Sequence, residues 1–289
     1  MTTTLNALNV FLRGLFDGLL SPFRGLPPLV GLAVVSIVTG IGVLLVYKVT
    51  SNQEKLAAVK RRIHAGFFEI RLFNDDLQAI LRAMGEILRH NLTYVALSFV
   101  PLLWMIVPLV LIIAQLQFHY GYEGFAPGDR ALVTVELRDD WQERLPGSTR
   151  PPIELAAPAG LRVEAGPVWI PALNELTWRI AAEEWGSYAL ELRAGEEVYT
   201  KSVEVSEDVL RCSPLRPDSE FFSQLLYPVE DPLPAAAPIR SIALDYPAGD
   251  LGLLSQESSW VSPIFWMIVF FIFSIVFAFA LRKPLKVTI

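Results

Sequence analysis

Three stretches of the chain contain no Asp, Glu, Lys or Arg and consist mostly of apolar residues. They cover residues 25–47, 90–122 and 258–281. A helix needs about 20 apolar residues to cross the hydrocarbon core of a bilayer, and each stretch reaches that length. The pattern therefore predicts three transmembrane helices. The first stretch is not typical of a signal peptide, because no basic segment near Met1 and no small-residue cleavage site accompany it.

Residues 48–92, between the first two stretches, are charged and amphipathic. Two apolar rows recur there at helical spacing: Leu56, Val59 and Ile63, then Leu77, Ile80, Leu81, Met84 and Leu88. They predict two helices joined by the aromatic connector AGFFEIRLFND, with Asn74 or Asp75 as the cap of the second helix. The two helices would form a short hairpin that stands off the membrane. Alternatively, the connector dips into the membrane interface.

The first 24 residues predict an amphipathic helix that precedes the first span. Leucines recur along one side, and polar residues occupy the other: Leu5, Leu8, Leu12, Leu15 and Leu19 against Asn6, Asn9, Arg13 and Asp17. Such a helix would lie flat in the outer membrane interface. The alternative is a helix that packs against the domain outside the membrane.

Residues 123–206 change to short runs in which apolar and polar residues alternate, such as ALVTVEL, ELTWRIA and YALELR. In the second run, Leu176, Trp178 and Ile180 point to one side, and Thr177 and Arg179 to the other. With turn residues between the runs, the pattern predicts an all-β, immunoglobulin-like sandwich. The seven prolines between residues 214 and 247 indicate that 207–257 is an extended connector. Residues 258–289 would form the third span and a short basic tail.

The charges predict the orientation of the chain, although its overall net charge is only −6. Residues 48–92 carry eight Lys or Arg and five Asp or Glu, and the final eight residues carry three basic groups and no acid. Residues 116–259 carry 11 basic and 24 acidic groups, a net charge of −13. Short basic loops remain in the cytoplasm. We therefore expect an integral protein of a bacterial inner membrane, with the N-terminus and a periplasmic β-sandwich outside and the C-terminus inside.

No catalytic or metal-binding pattern accompanies this architecture. The three histidines, His64, His90 and His119, are widely separated and have no metal-ligand spacing. The single cysteine, Cys212, cannot form an internal disulfide. The acidic outer segment does not favour binding to nucleic acid. The sequence therefore predicts a protein that is not an enzyme, needs no cofactor or metal, and has the lipid bilayer as its first partner.

Two segments carry a resemblance to a known family. DDLQAILRAMGEILRHNLTYVALSFVPLLWMIVP, residues 75–108, resembles the run from a cytoplasmic helix into a second span, and SSWVSPIFWMIVFF, residues 258–271, resembles the entry into a third span. The order of elements is similar to that of the YidC/Oxa superfamily of membrane insertases. The closest likeness is to its three-span branch, which includes the third subunit of the endoplasmic reticulum membrane protein complex.

The resemblance implies an insertase or intramembrane chaperone, with a groove open to cytoplasm and lipid. The cytoplasmic hairpin would capture hydrophobic segments of client membrane proteins. The capture residues would be Phe67, Phe68, Phe73 and Met84. Many members of the superfamily have a basic residue inside the groove, whereas the first two spans here have none.

Other groups would then have to hydrate the groove. Within the spans, the candidates are the hydroxyls of Ser36, Thr39 and Ser98 and the amide of Gln115. At the inner ends of the spans, the candidates are the cations Lys48 and Arg89. The alternative function is that of a non-enzymatic scaffold subunit, in which the external β-sandwich binds a protein partner.

Overall fold

The computed structural model describes residues 2–73, 75–146, 149–252, 262–285 and 287. They belong to two compact units. The first unit comprises residues 1–31 and 112–267, and the second comprises residues 32–111 and 268–289. The helices are α1 (Thr2–Leu20), α2 (Pro28–Thr50), α3 (Gln53–Leu72), α4 (Leu77–Tyr120), α5 (Trp141–Arg144), α6 (Phe221–Leu226) and α7 (Ser262–Leu281).

Three of these helices are long and apolar enough to cross a membrane. They are α2, α4 and the part of α7 from Ile264 to Leu281, with mean hydropathies of 2.6 to 2.8 in their most apolar parts. The prediction of three such helices is therefore confirmed. Residues 258–261, which open the second segment that carries the family resemblance, lie outside the described residues.

The predicted helical hairpin is present, but its boundaries differ. α3 continues to Leu72, so Phe67 and Phe68 lie on a helix, and most of the predicted connector is helical. α4 is one helix of 44 residues that combines the predicted second hairpin helix with the second span. No helix breaker separates those two parts, so the backbone hydrogen bonds continue from one into the other. Pro101 and Pro108 lie inside α4.

The caps of the hairpin helices are short polar side chains. The Asn52 side chain accepts a hydrogen bond from the backbone N–H of Lys55 at 3.0 Å, at the start of α3. Asp76, not Asp75, caps α4, because its carboxylate accepts the backbone N–H groups of Gln78 and Ala79 at 2.9 and 3.2 Å. The other predicted cap, Asn74, lies outside the described residues.

A glycine allows the two hairpin helices to pack closely. A Cβ added to Gly66 of α3 would lie 2.6 Å from Cγ1 of Ile87 in α4. On α3, Gly66 continues the buried row of Leu56, Val59 and Ile63. α3 therefore folds back along α4 with its apolar row inside the hairpin, as the spacing of that row predicts.

Small residues also bring α2 and α7 together. A Cβ on Gly40 would lie 2.9 Å from the carbonyl oxygen of Ser274. The Ser274 hydroxyl donates to the Ser36 carbonyl at 3.3 Å. Glycine and serine at such a contact let two helix backbones approach closely, which is how apolar helices associate without a hydrophobic drive between them.

Eight strands form two antiparallel sheets in the first unit. They are β1 (Arg130–Leu137), β2 (Ile153–Ala156), β3 (Leu161–Ile170), β4 (Glu175–Ala182), β5 (Gly186–Ala194), β6 (Glu197–Val205), β7 (Leu215–Arg216) and β8 (Ile239–Leu244). One sheet has the order β3-β4-β1-β8-β7 and the other β2-β5-β6. Their buried residues form one hydrophobic core. Leu176, Trp178 and Ile180 point into it, as their alternation predicts.

The interpretation of residues 207–257 as a connector outside the β domain is wrong. β8 pairs with both β1 and β7, and Ile239 and Ile242 are completely buried in the core. Tyr246 stacks on Phe125, with their ring centroids 4.7 Å apart. The prolines lie before and after β8 and leave its hydrogen-bonding N–H groups intact. The β domain therefore extends well beyond residue 206.

Candidate functional site

A row of large apolar side chains lies exposed along α4. Its members recur every three or four residues and so share one face of the helix: Leu77, Leu81, Met84, Leu88, Leu92, Val95, Phe99, Leu102, Ile106 and Val110. Each exposes between 43% and 69% of its surface. We call this row the apolar stripe. At 1.5 Å per residue it extends over about 50 Å.

The surroundings of the stripe change along its length. In the first part of α4, the residues between its members include Arg82, Glu86 and Arg89, whereas the part after His90 has no charged residue until His119. The most apolar part of α4 is only 6% buried, compared with 39% for α2. A contiguous exposed apolar surface of this size marks an interaction site. The stripe therefore begins on an amphipathic helix and continues, on the same face, along an apolar one.

All four predicted capture residues are exposed in the hairpin. Phe67 and Phe68 are 56% and 71% exposed near the end of α3, and Phe73 is the C-cap residue of that helix. Met84 belongs to the apolar stripe. The hairpin therefore presents aromatic rings close to its turn and a flexible thioether on α4, a combination that can adapt to apolar surfaces of varied shape.

The candidate groove hydroxyls have different surroundings. Ser36 is completely buried, and its hydroxyl donates to the Leu32 carbonyl of the same helix at 2.7 Å. Thr39 is also buried in α2, whereas Ser98 is half-buried in α4. Ser36 therefore contributes to the packing of α2 against α7 and has its hydroxyl hydrogen satisfied. This arrangement does not favour the predicted role of Ser36 in hydrating a groove.

The remaining groove candidates are equally dispersed. Gln115 is buried in the first unit, where its backbone carbonyl lies 3.1 Å from Nδ1 of His119. The Lys48 ammonium donates to the Leu285 carbonyl at 3.0 Å, beyond the end of α7. Arg89 is exposed on α4. The contact of Lys48 favours anchoring of a helix end, and the role of Lys48 and Arg89 in hydrating a groove stays a prediction.

A second candidate surface is α1, whose polar side is bound to the β domain. The buried Asn9 side chain donates from Nδ2 to the Gln224 carbonyl of α6 at 2.9 Å. The Arg13 guanidinium donates to the Val229 carbonyl at 2.8 Å and to the Asp231 carboxylate at 2.7 Å. The polar face of α1 therefore packs, as one of the two alternatives for this helix predicts.

The Asp17 carboxylate completes the attachment of α1 to the β domain by contacting Arg211 and His119. It lies 3.0 Å from Nη2 of Arg211 and 3.2 Å from Nε2 of His119. Partial burial of Asp17 opposes its ionisation, but the hydrogen bond with His119 and the charge of Arg211 outweigh it and lower the pKa of Asp17. Burial of Arg211 lowers the pKa of its guanidinium to about 10. Both groups are charged at neutral pH.

Part of the apolar surface of α1 stays exposed, although Leu5, Phe16 and Leu20 are buried. Leu8, Phe11 and Leu15 lie on one face at spacings of three and four residues and are 40%, 65% and 52% exposed. α1 therefore packs through a face that contains both polar and apolar residues, and it exposes a second row of apolar residues. Interface binding and domain packing, the two alternatives that the sequence leaves open for α1, are each suited to a different face of the helix.

The segment that receives Arg13 also holds a buried ion pair. Lys201 of β6 is completely buried, and its ammonium donates to the Glu230 carboxylate, to the Ser213 hydroxyl at 2.8 Å and to the Ser213 carbonyl. The Ser202 hydroxyl also donates to Glu230 at 2.8 Å. Burial opposes ionisation of Glu230, but the charge of Lys201 and the hydrogen bonds outweigh it and lower the pKa of Glu230. The pair fixes residues 229–231 on the sheet.

A pocket of the first unit, about 450 Å³ in volume, is acidic and aromatic. Trp185 and Tyr122 are among its lining residues. The lining also includes five carboxylates, those of Glu123, Asp129, Glu207, Asp208 and Asp250. Burial raises the pKa of Glu123. No group of His, Cys, Asp and Glu in the described part of the chain has the arrangement of a metal site.

Comparison of the chain with protein families, with characterised proteins and with solved structures finds no match. Its function is therefore inferred from the geometry of the two surfaces, the apolar stripe and the attached α1.

Proposed function

We propose that the chain is an integral membrane insertase or intramembrane chaperone of the YidC/Oxa type, which guides hydrophobic segments of client proteins into the bilayer. The observation that carries the proposal is the apolar stripe. It begins on the amphipathic half of α4 at Leu77 and continues without interruption to Val110 in the apolar half. One face of one helix thus leads from an aqueous to an apolar environment.

The physical basis is the hydrophobic effect acting along this face. A client segment that contacts the first part of the stripe removes apolar surface from water, at about 25 cal/mol per Å². It can then slide along the same face into the membrane without ever exposing that surface again. Met84 and the rings of Phe67, Phe68 and Phe73 provide adaptable apolar contacts at the start of this path. The charged residues on the other sides of α4 keep its first half in water.

The proposal includes an orientation with the hairpin inside the cell and the β domain outside. The basic balance of residues 48–92 and the acidic balance of residues 116–259 support it. The immunoglobulin-like character of the two-sheet domain belongs to the same proposal. It rests on the pairing of two antiparallel sheets over one core.

Site-specific photo-crosslinking tests the proposed function. A photoreactive amino acid replaces Met84 on the stripe or, as a matched control, Glu86, which is also exposed but lies about 200° around the same helix. The probes are ribosome-bound nascent chains with one apolar helix, and the same chains with polar residues in that helix. We expect crosslinks from position 84 to the apolar chain only, and few from position 86.

The two functions predict different crosslinking partners. An insertase contacts several unrelated apolar clients, and only while they are being synthesised. A scaffold subunit with a permanent partner gives one crosslinked protein, whether or not translation is active. A single stable partner at position 84, or equal crosslinking from positions 84 and 86, would contradict the proposed insertase.

Cysteine labelling tests the orientation. Cys212 is only 1% exposed and its burial raises the pKa of its thiol, so it contributes little background labelling. Cysteines at Ser51, before α3, and at the exposed Glu196, between β5 and β6, are the two test positions. In intact cells a membrane-impermeant reagent should label position 196 and not position 51. The reverse pattern would refute the orientation.

A further inference from the structure

We infer that α6 is a second membrane-interface element, which docks the β domain on the lipid surface beside α1. The occupant of its exposed apolar side is the bilayer, in the region of the headgroups and the first acyl carbons. The inference rests on the proposed membrane insertion of α2 and α4, and it goes beyond the insertase function because it concerns a helix of the β domain.

The first observation is the composition and exposure of α6 itself. Its sequence is FFSQLL, and Phe221, Phe222 and Leu226 are 42%, 72% and 60% exposed. Phe222 and Leu226 are four residues apart and so share a face. The two phenylalanine rings contact each other edge to face, with centroids 5.4 Å apart. A six-residue helix with three large exposed apolar side chains is costly in water and favourable at a membrane interface.

The second observation fixes where the membrane surface must lie. The start of α2 and the end of α4 are neighbours, because a Cβ on Gly31 would lie 2.6 Å from the Tyr120 hydroxyl. His119, next to Tyr120, contacts Asp17 near the end of α1. If α2 and α4 cross a bilayer, these helix ends emerge together at one surface. The C-terminal end of α1, which holds Asp17, therefore lies at that surface.

The third observation connects α6 to α1. Asn9 of α1 donates to the Gln224 carbonyl of α6, and Arg13 binds Val229 and Asp231 a few residues further on. The two helices are joined by polar contacts, and each of them also leaves a group of large apolar residues exposed. A helix attached in this way to an interfacial helix is within reach of the same interface.

The size of the exposed surface favours lipid over a second copy of the chain. The apolar residues of both helices, Leu8, Phe11, Leu15, Phe221, Phe222 and Leu226, together present a few hundred Å². A stable protein interface needs about 800 Å² on each partner. Phenylalanine and leucine side chains also match an interface whose apolar depth is only about 5–10 Å.

Spin labelling of the full chain tests the inference. The protein, with its buried Cys212 retained, is reconstituted in nanodiscs of phosphatidylcholine and phosphatidylglycerol. A nitroxide is attached to a cysteine at Leu226, or at Val168 of β3 as a control, which is 59% exposed and equally apolar. Collision with oxygen, which concentrates in lipid, is compared with collision with a water-soluble nickel complex. We expect the oxygen-to-nickel ratio to be several-fold higher at position 226 than at position 168.

A third label, at Val38 in α2, separates this inference from the proposed function. A lipid-like ratio at position 38 with a water-like ratio at position 226 would overturn the docking of α6 and leave the membrane insertion of α2 intact. A water-like ratio at position 38 would overturn both. Low collision rates with both reagents at position 226, with dipolar broadening between labels, would mean that a second copy covers α6, and would also overturn the inference.

Discussion

Replacing Glu230 with Gln should destabilise the β domain far more than replacing its partner Lys201 with Met. The Gln variant removes the counter-charge of an ammonium that has no exposure to water, and leaves it only neutral acceptors, which are the two oxygens of Ser213 and the amide oxygen of the Gln. The Met variant removes the buried charge itself and keeps a similar unbranched side chain. Glu230 then keeps the hydrogen bond from the Ser202 hydroxyl, and its side chain is 14% exposed.

The expected magnitudes follow from the cost of isolating a buried charge. Removing one partner of a buried ion pair costs about 3–5 kcal/mol, whereas apolar replacement of the buried charge is often close to neutral. Gln can still accept one hydrogen bond from Lys201, so we expect about 3 kcal/mol for Glu230→Gln. For Lys201→Met we expect about 1 kcal/mol, because Ser213 loses a donor and Glu230 loses its ion pair. The test is whether Glu230→Gln lowers the free energy of unfolding more than Lys201→Met does.

Hydrogen exchange of the full chain in nanodiscs measures these losses locally. The slowest amides of β6 report the opening of the domain. A loss of about 3 kcal/mol accelerates their exchange by roughly 100-fold. In the Gln variant, burial holds the pKa of Lys201 below its unfolded value, so the unfolded state binds more protons and stability should rise with pH through the alkaline range. A Met variant as damaging as the Gln variant would refute the reasoning.

Three further predictions concern helix contacts. Gly40→Ala should lower the thermal midpoint of the full chain, measured by circular dichroism, because the added Cβ meets a backbone carbonyl of α7. Gly42→Ala is the control and should leave the midpoint unchanged, because Gly42 faces open space. Ala at Gly66 should likewise loosen the hairpin, and Ala at Gly85, also in open space, should stabilise it through its higher helix propensity. Since folding lowers the pKa of Asp17, its attachment of α1 should be complete above pH 3.8 and lost as the pH falls through the lowered pKa. A spin label on α1 should gain mobility only in that acidic range, and Asn at Asp17 should abolish the dependence.

The hydrophobic pattern predicted the elements that depend on local periodicity. The three apolar helices and the strand that contains Leu176, Trp178 and Ile180 are in the structure as expected. Each of these elements was predictable from the sequence, because burial of one side places apolar residues at every second position in a strand and at every third or fourth position in a helix. The continuity of α4 was missed because the charged and apolar halves differ in composition, although their helical spacing is the same.

The errors concern contacts between residues that are distant in sequence. β8 was missed because its six residues lie among prolines, and only its pairing with β1 shows that it is central to the sheet. The partners of Asn9, Arg13 and Asp17 lie more than 100 residues away. The one local signal was the spacing of four between these three polar residues, which indicates a shared face but not what binds to it.

Both candidate surfaces expose rows of large apolar side chains, which is unfavourable for helices in water. In water an amphipathic helix buries its apolar side and exposes its polar side. α1 buries Asn9 and leaves Phe11 exposed, and α4 leaves its apolar stripe open over about 50 Å. Such surfaces are favourable only if something apolar covers them. In the proposed function, a bilayer would cover the exposed residues of α1 permanently, whereas lipid would contact only the apolar half of the stripe on α4. The other half of the stripe, on the amphipathic hairpin, needs an apolar occupant that arrives from water, and a client segment on its way to the membrane has that property.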